Sequence, residues 1–313
     1  MNIKKINSPI LFLIFNRPSE TKKVFSAIRL VKPPRLYVAA DGLRDYPKNE
    51  AELIDITRKI ATAVDWPCEV KTLFREKNLG IKNAVESAIT WFFKHEEQGI
   101  ILEDDCLPHQ DFFQFCETLL SYYRYDERVS MITGNNYQAG KKRGEGSYYY
   151  SRYNVTWGWA SWSRAWKYYD GDLKFWPTWK FSTDWKKKIP DFFERLYWKR
   201  IFDKCFAKQI DTWDYQWHAS IWYYGGLTVT PNVNLVSNIG FGPNATNFKS
   251  INNPLARIAT NDLGKIIHPK AIVQDQAADR FVFKNVYSGR LKKFPLNLIV
   301  IIYFLVKKFI NRN

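Results

Sequence analysis

Cysteine and histidine are scarce in this chain. Its 313 residues include four cysteines, Cys68, Cys106, Cys116 and Cys205, and no CxxC pair. This spacing supports neither a zinc ribbon nor the disulfide framework of a small secreted domain, so we expect a reducing compartment. The four histidines form no HxH or HExxH motif, and the pattern therefore predicts no zinc site.

Long hydrophobic runs are also missing. The most lipid-like stretch, 296–306, is interrupted by Asn297 and is too short for a membrane span, which needs about 20 apolar residues. Lysine and arginine bracket the stretch on both sides, a composition typical of a segment that lies in the headgroup region of an anionic leaflet. We predict an amphipathic membrane-surface segment at 294–313; the alternative is a C-terminal helix docked on the core.

Acidic residues are outnumbered. There are 31 Asp and Glu against 47 Lys and Arg, which gives a formal net charge of +16, and aromatic residues make up 17% of the chain. Positive charge favours anionic partners, and aromatic rings stack on sugars and bases, so a basic nucleic-acid-binding protein is one candidate. However, residues 248–313 carry +9 of the charge, away from the dense aromatic region, and we expect no nucleic-acid partner.

Glycine-rich phosphate loops are absent. Nothing resembles GxGxxG after the first predicted strand, and GxxxxGK[ST] occurs nowhere. The sequence therefore lacks the phosphate cradles of a Rossmann dehydrogenase and of a P-loop ATPase, and both classes are excluded.

The first 135 residues instead alternate strand and helix signals. A continuous apolar run predicts a strand at 10–15, and the pattern repeats with further strands predicted at 36–40, 69–74, 100–102 and 129–133. Helical spacing of apolar residues predicts helices after Ser19 and at 49–64, 81–93 and 111–123. This order indicates an α/β fold with a mostly parallel sheet flanked by helices, and such sheets bind ligands beyond the carboxyl ends of their strands.

Polar residues follow the predicted strands at those ends. They are Asn16 and Arg17, Asp41 and Gly42, residues 75–80, and the triplet Glu103, Asp104 and Asp105. Three adjacent carboxylates repel one another unless a cation or hydrogen-bond donors answer them. A single Mg²⁺ or Mn²⁺ ion, which binds one or two carboxylates together with substrate phosphates, would offset this repulsion. The alternative is that these acids only cap the helix that starts near Gln110.

The acidic segment ILEDDCLPHQDFFQFCE resembles the motif of the N-acetylglucosaminyltransferase I family, in which EDD is followed by a proline-containing turn and DFF. PILFLIFNRP, the aspartate of AADG, WGWASWSRAW, and TWDYQW leading into PNVNLVSNIGFG match in the same order over roughly residues 8–247. The chain is also similar to bacterial family-2-type transferases. The resemblance implies a GT-A fold, which is Rossmann-like, a nucleoside diphosphate sugar donor (we expect UDP), and Mn²⁺ or Mg²⁺.

The resemblance also implies roles for the donor-site residues. Asp105 would be the metal ligand, while Glu103 and Asp104 would contact the ribose and the donor sugar. Asp41 would contact the base, and Arg17, next to Asn16, would face the phosphates. The block Trp157, Gly158 and Trp159 would line the donor-sugar and acceptor pocket, and a glycine between two tryptophans favours a loop that lets backbone approach a ligand.

Asp214 matches the acidic segment in which the family carries its catalytic base. The family pattern has two adjacent acids there, whereas Tyr215 follows Asp214 in this chain. Asp211 and Asp184 therefore remain alternatives for the base. One carboxylate that takes the acceptor proton suffices for an inverting reaction. A strand is also predicted at 232–236, and a loop at 240–246 follows it. By resemblance this loop would correspond to a segment that orders over the donor; the alternative is an ordinary surface turn.

These observations predict an inverting, metal-dependent glycosyltransferase acting on a lipid-linked or cell-surface glycan. We expect three regions: a GT-A domain at 1–247, a basic extension at 248–293 and the membrane-surface segment at 294–313. The expected location is cytoplasmic, peripheral on the inner face of the cell membrane. The second enzymatic candidate is a sugar-phosphate nucleotidyltransferase, but its glycine-rich loop after the first strand is missing from residues 15–18.

Overall fold

The computed structural model describes residues 5–45, 50–242 and 254–287. The predicted segments 243–246 and 288–313 lie outside this part of the chain. The described strands are β1 (Ile10–Ile14), β2 (Arg35–Ala40), β3 (Glu69–Phe74), β4 (Gln98–Glu103), β5 (Cys106–Pro108), β6 (Val129–Thr133), β7 (Tyr148–Ser151), β8 (Trp159–Trp162), β9 (Leu227–Pro231) and β10 (Val236–Asn238).

The described helices flank these strands. They are α1 (Pro18–Val31), α2 (Glu50–Thr62), α3 (Gly80–His95), α4 (Gln110–Tyr122), α5 (Ser163–Trp166), α6 (Trp176–Trp179), α7 (Thr183–Lys188), α8 (Phe192–Phe206), α9 (Asp214–Tyr224) and α10 (Gln276–Val282), followed by one π-helical turn, Phe283–Tyr287. None of these described helices has the length and apolar character of a membrane span.

Eight of the strands form one sheet in the order β3-β2-β1-β4-β8-β6-β9-β7. The four strands β3, β2, β1 and β4 pair in parallel, and β6 and β9 continue in the same direction. Only β8 and β7 run antiparallel to their neighbours. The prediction of a mixed α/β fold with a mostly parallel sheet is confirmed.

Burial explains why the first strand could be predicted from the sequence. All five residues of β1 are buried, because helices cover both faces of the sheet. Pro18 occupies the first turn of α1, where a missing N–H costs nothing, and Val24, Phe25 and Ile28 bury its inner face.

A separate two-stranded antiparallel ribbon joins β5 to β10. The sequence analysis missed β5 and proposed a strand at 232–236, whereas the structure has β9 before this stretch and β10 at its end. Strands of three residues carry too short a pattern to be recognised.

Residues beyond 254 contact the same sheet. The backbone N–H of Asp275 donates to the Tyr150 carbonyl, and the Asp279 carboxylate accepts from the Ser151 hydroxyl and the Arg152 N–H. Asp279 is almost completely buried. The segment 275–287 therefore packs on strand β7, while the domain boundary at residue 247 stays a prediction.

Candidate functional site

A cavity of about 400 Å³ opens at the carboxyl ends of β1, β2, β3 and β4. Its walls come from the four strand ends, from α3 and from the segment after β10. The lining residues are Leu13, Ile14, Phe15, Arg17, Ala39, Ala40, Asp41, Arg44, Leu73, Arg75, Asn78, Gly80, Ile81, Ala84, Val85, Ala88, Glu103, Asp104, Asp105, Trp157, Asp211, Asn238 and Gly240. The acidic triplet and three arginines thus share one cavity, at the sheet edge where the sequence analysis expected a ligand.

The acidic triplet begins on the last residue of β4 and turns sharply into β5. The Asp104 carboxylate accepts a hydrogen bond from the backbone N–H of Phe15, at 3.1 Å. The carbonyl of Asp105 accepts from the N–H of Ile239, at 2.8 Å. Gly240 follows, and a Cβ at that position would overlap the Asp105 carboxylate. The backbone at the end of the β5–β10 ribbon is therefore packed closely against Asp105.

The Arg17 guanidinium forms ion pairs with two of these carboxylates. Its Nη1 lies 2.5 Å from Asp105 Oδ2 and 3.5 Å from Asp104 Oδ1. Burial lowers the pKa of Arg17, but the charges of Asp104 and Asp105 outweigh that effect, so its pKa is raised and the guanidinium stays charged. The two carboxylates thus already hold one cation.

The remaining acids are electrostatically strained. Burial raises the pKa of Glu103 well above its usual value, and the charges of Asp105, Asp104 and Asp214 raise it further. Burial and the Asp105 charge raise the pKa of Asp104 to about 7, although Arg17 and the Phe15 N–H oppose this rise. Divalent ions such as Mn²⁺ and Mg²⁺ prefer hard oxygen ligands. The carboxylates of Asp105 and Asp104 are therefore suited to hold one of these ions.

Asp41, which is predicted to bind the nucleobase, lines the side of the cavity opposite the acidic triplet. Its Oδ1 accepts from the N–H groups of Gly42 and Leu79, at 2.8 and 2.9 Å. Asn78 donates to the Gly42 carbonyl, and Arg58 bridges the carbonyls of Asp41 and Arg75. These bonds fix the ends of β2 and β3 relative to each other.

Asn16 is not among the residues that line the cavity, and its predicted contact with the donor stays a prediction. Its side chain donates to Glu50 Oε1 at 2.8 Å. Glu50 is completely buried and also accepts from Arg44. The turn after β1 therefore sends Arg17 toward the acids and Asn16 toward α2.

The block Trp157, Gly158 and Trp159 divides in the same way. Trp157 lines the cavity, whereas Trp159 is fully buried in β8 and stacks on Trp213 with ring centroids 5.8 Å apart. Gly158 has φ +74°, and a Cβ there would meet the Val236 side chain at 2.8 Å. Close packing of the core accounts for the positions of Gly158 and Trp159, and their predicted contact with a ligand stays a prediction.

The three candidate bases occupy different positions. Asp211 lines the cavity and accepts from the Lys82 N–H at 3.3 Å. Asp214 begins α9, accepts from the Thr212 hydroxyl, and its charge acts on Glu103. Burial raises the pKa of Asp214. Asp184 lies outside the cavity lining, where it accepts from the Trp179 indole at 2.7 Å and pairs with Lys188.

Sequence reasoning missed several residues of the site. Arg44 lines the cavity from the loop after β2, and Asn238 lines it from the end of β10. Arg44 stands three residues after Asp41, so its position in the same loop was the available signal. Asn238 carried none, because β10 was not recognised.

A second group of metal-ligating side chains is present in the described part of the chain. His109, Asp111 and Asp262 lie close enough together to share an ion. However, His109 Nδ1 accepts from the Asp111 N–H at 3.3 Å, and its Nε2 lies 3.4 Å from Asp262. Contacts within the cluster thus already engage both ring nitrogens of His109.

No family model matches the chain, and no curated protein is similar to it in sequence. Solved structures similar to it include HddC from Yersinia pseudotuberculosis, with 12% identity, a TM-score of 0.34, and coverage of 55% of this chain and 86% of that chain. UDP-glucose pyrophosphorylase complexed with UDP-glucose has 12% identity and a TM-score of 0.27, and the match covers 45% of this chain and 64% of the other. With TM-scores below 0.5, neither similarity identifies an activity.

Proposed function

We propose that the protein is an inverting, metal-dependent glycosyltransferase that moves a sugar from a nucleoside diphosphate to a hydroxyl of a lipid-linked or cell-surface glycan. One observation carries the proposal: Arg17, Asp104 and Asp105 converge in a cavity at the carboxyl ends of four parallel strands. The resemblance of the EDD-to-DFF segment to the N-acetylglucosaminyltransferase I family also supports it.

The cavity divides into two halves that suit the two ends of such a donor. Asp41, Arg75 and Asn78 surround an apolar floor that suits the nucleoside. Arg17 and the acidic triplet form the other half, where a diphosphate would lie. A guanidinium binds phosphate oxygens with directed, charge-assisted hydrogen bonds, which are stronger than neutral ones.

The reaction needs a base and a stabilised leaving group. The acceptor oxygen forms a bond to the anomeric carbon while the bond from that carbon to the diphosphate oxygen breaks. Asp214 takes the hydroxyl proton, and its raised pKa suits that task; Asp211 is the alternative. Arg17 stabilises the charge that develops on the diphosphate. A divalent ion held by Asp105 would supply further charge neutralisation.

A thermal-shift screen tests the nucleotide and the metal together. A nucleoside diphosphate that binds the native state raises the unfolding temperature by mass action. We expect UDP with Mn²⁺ to stabilise the wild type and to leave Asp105→Asn unchanged, while Asp65→Asn, an exposed acid paired with Arg29, behaves as the wild type. Wild-type stabilisation that does not depend on the metal would contradict the proposed ion site.

The second candidate is a sugar-phosphate nucleotidyltransferase. This class also uses an α/β sheet with acidic metal ligands, and the acidic triplet lines the cavity at the carboxyl ends of the parallel strands of this chain. Incubation with a UDP-sugar and pyrophosphate separates the two candidates. A glycosyltransferase releases UDP when an acceptor is present, whereas a nucleotidyltransferase forms UTP and a sugar 1-phosphate without one.

A further inference from the structure

Helix α8 exposes apolar side chains at its N-terminal end. Phe192 is 61% exposed, Phe193 is 45% exposed and Leu196 is 41% exposed. The opposite side of the helix is buried in the core through Trp198 and Phe202. We call the three exposed residues the α8 face. An exposed group of large apolar side chains marks an interaction site more often than a scattered single residue does.

The local fold holds this face outward. Asp191 caps the helix, because its side chain accepts from the Glu194 N–H at 2.8 Å. Glu194 itself turns inward, is nearly fully buried, and pairs with Arg152 at 2.6 Å. The acid in the first turn of α8 therefore contributes no negative charge to the exposed surface.

The segment that contains the α8 face is rich in cations. Residues 180–208 include nine Lys and Arg against four Asp and Glu, a net charge of +5. Lys186 and Lys187, on α7, and Arg200, one turn beyond Leu196, are exposed. Aromatic and aliphatic side chains flanked by lysine and arginine are the composition of protein surfaces that bind anionic lipid headgroups.

The last described residues pack against the buried side of α8. Tyr287, the last of them, lies 5.0 Å from Trp198 and 6.3 Å from Tyr197 between ring centroids. This contact leaves Phe192 and Leu196, on the other side of the helix, exposed.

From these observations we propose that the α8 face docks on an anionic lipid surface. Phe192, Phe193 and Leu196 enter the headgroup region, and Lys186 and Lys187 contact the anionic headgroups. This surface does not depend on the proposed reaction, so a failure of either proposal leaves the other intact.

Sedimentation of the full-length protein with vesicles tests the proposal. We expect binding to vesicles of equal parts phosphatidylcholine and phosphatidylglycerol and little binding to phosphatidylcholine alone. The double variant Phe192→Ser/Leu196→Ser should bind at least tenfold more weakly, and Lys186→Gln/Lys187→Gln should weaken binding most at low salt. The matched controls are Leu30→Ser/Leu53→Ser and Lys22→Gln/Lys23→Gln, on α1 and α2, which should bind as the wild type.

Two results would overturn the proposal. One is wild-type vesicle binding by the folded Phe192→Ser/Leu196→Ser variant. The other is a lowered unfolding temperature with unchanged vesicle binding, which would mean that the chain itself covers the face.

A labelled protein provides a test that does not depend on the stability of the serine variants. Leu196→Cys in a Cys68→Ser background leaves the remaining native cysteines buried, so an environment-sensitive fluorophore attaches at position 196. Its emission should shift to the blue with anionic vesicles, and an unchanged spectrum would refute the docking.

Discussion

Arg17 Nη1 lies 2.5 Å from Asp105 Oδ2, so the carboxylate best placed to bind a divalent ion already binds a guanidinium. A metal ion and Arg17 therefore compete for one acid, and a diphosphate can relieve the competition by accepting hydrogen bonds from Arg17. This relationship leads to the first prediction.

Arg17→Gln should bind Mn²⁺ more tightly than the wild type in the absence of nucleotide, because the competing guanidinium is gone. The same variant should bind UDP about tenfold more weakly, since it loses a charge-assisted hydrogen bond worth about 1.5–3 kcal/mol. Titration followed by the paramagnetic resonance of free Mn²⁺ measures the first effect, and calorimetry measures the second. Arg29→Gln, on the exposed side of α1, is the control. Equal Mn²⁺ affinity in Arg17→Gln and the wild type would show that Arg17 does not occupy the ion's place.

Gly240→Ala should disable the acidic site without unfolding the protein. Its Cβ would overlap the Asp105 carboxylate, so that side chain has to move away from the ion position. We expect loss of the Mn²⁺-dependent stabilisation by UDP in the thermal-shift assay. Gly264→Ala is the control: φ is +69° there, but a Cβ meets no atom within 4 Å. Normal ligand-induced stabilisation of Gly240→Ala would show that Asp105 tolerates displacement.

His218 should make the stability of the protein sensitive to mild acid. The ring stacks on Trp198 with centroids 4.5 Å apart, and burial, assisted by the Arg152 charge, lowers its pKa well below the usual value. The unfolded chain then binds a proton more readily than the folded one below about pH 6.5. The contribution of His218 to the free energy of unfolding is therefore complete above that pH and is lost as the pH falls.

Urea unfolding at pH 7.5 and pH 5.5 measures this loss. His218→Phe keeps an aromatic ring in place and cannot be protonated, so its stability should fall by about 1 kcal/mol less than that of the wild type between the two pH values. Equal losses in both proteins would assign the acid sensitivity to other groups.

Removing only one member of the buried ion pair between Arg152 and Glu194 should strongly lower the free energy of unfolding. Their side chains are 2.6 Å apart, and Glu194 also accepts from the Tyr153 hydroxyl. Arg152→Met leaves a buried acid without its cation, and the loss in the free energy of unfolding should be about 3–5 kcal/mol. Adding Glu194→Gln removes the buried negative charge and should recover part of that loss in chemical denaturation. A double variant less stable than Arg152→Met would contradict this explanation.

The parallel half of the sheet could be predicted because burial of both faces leaves a continuous apolar run. Ile10–Ile14 is entirely buried and shows this signal clearly. Glu69–Phe74 lies at the sheet edge, where its residues are exposed or half-buried, yet this strand was also predicted. The approximate position of the site followed from the strand order. Asp41 directly follows β2 and Asp105 stands two residues after the end of β4, so the sheet edge brings them into one cavity.

The contacts of neighbouring residues could not be predicted in the same way. Asn16 and Arg17 are adjacent, as are Trp157 and Gly158, but one of each pair lines the cavity and the other does not. The direction of a side chain after a strand depends on the dihedral angles of the turn, which the residue type alone does not set. Asp211 and Asp214 remain equivalent candidates at the sequence level for the same reason.

The ribbon of β5 and β10 carries Asp105 on one strand, and Gly240 follows directly after the other. Any movement that tilts this ribbon therefore also shifts the carboxylate. We expect the affinity for a cation at Asp105 and the tilt of the ribbon to be thermodynamically linked. By reciprocity, a ligand that tilts the ribbon will raise or lower the affinity for the cation by the same factor by which the cation changes the affinity for that ligand.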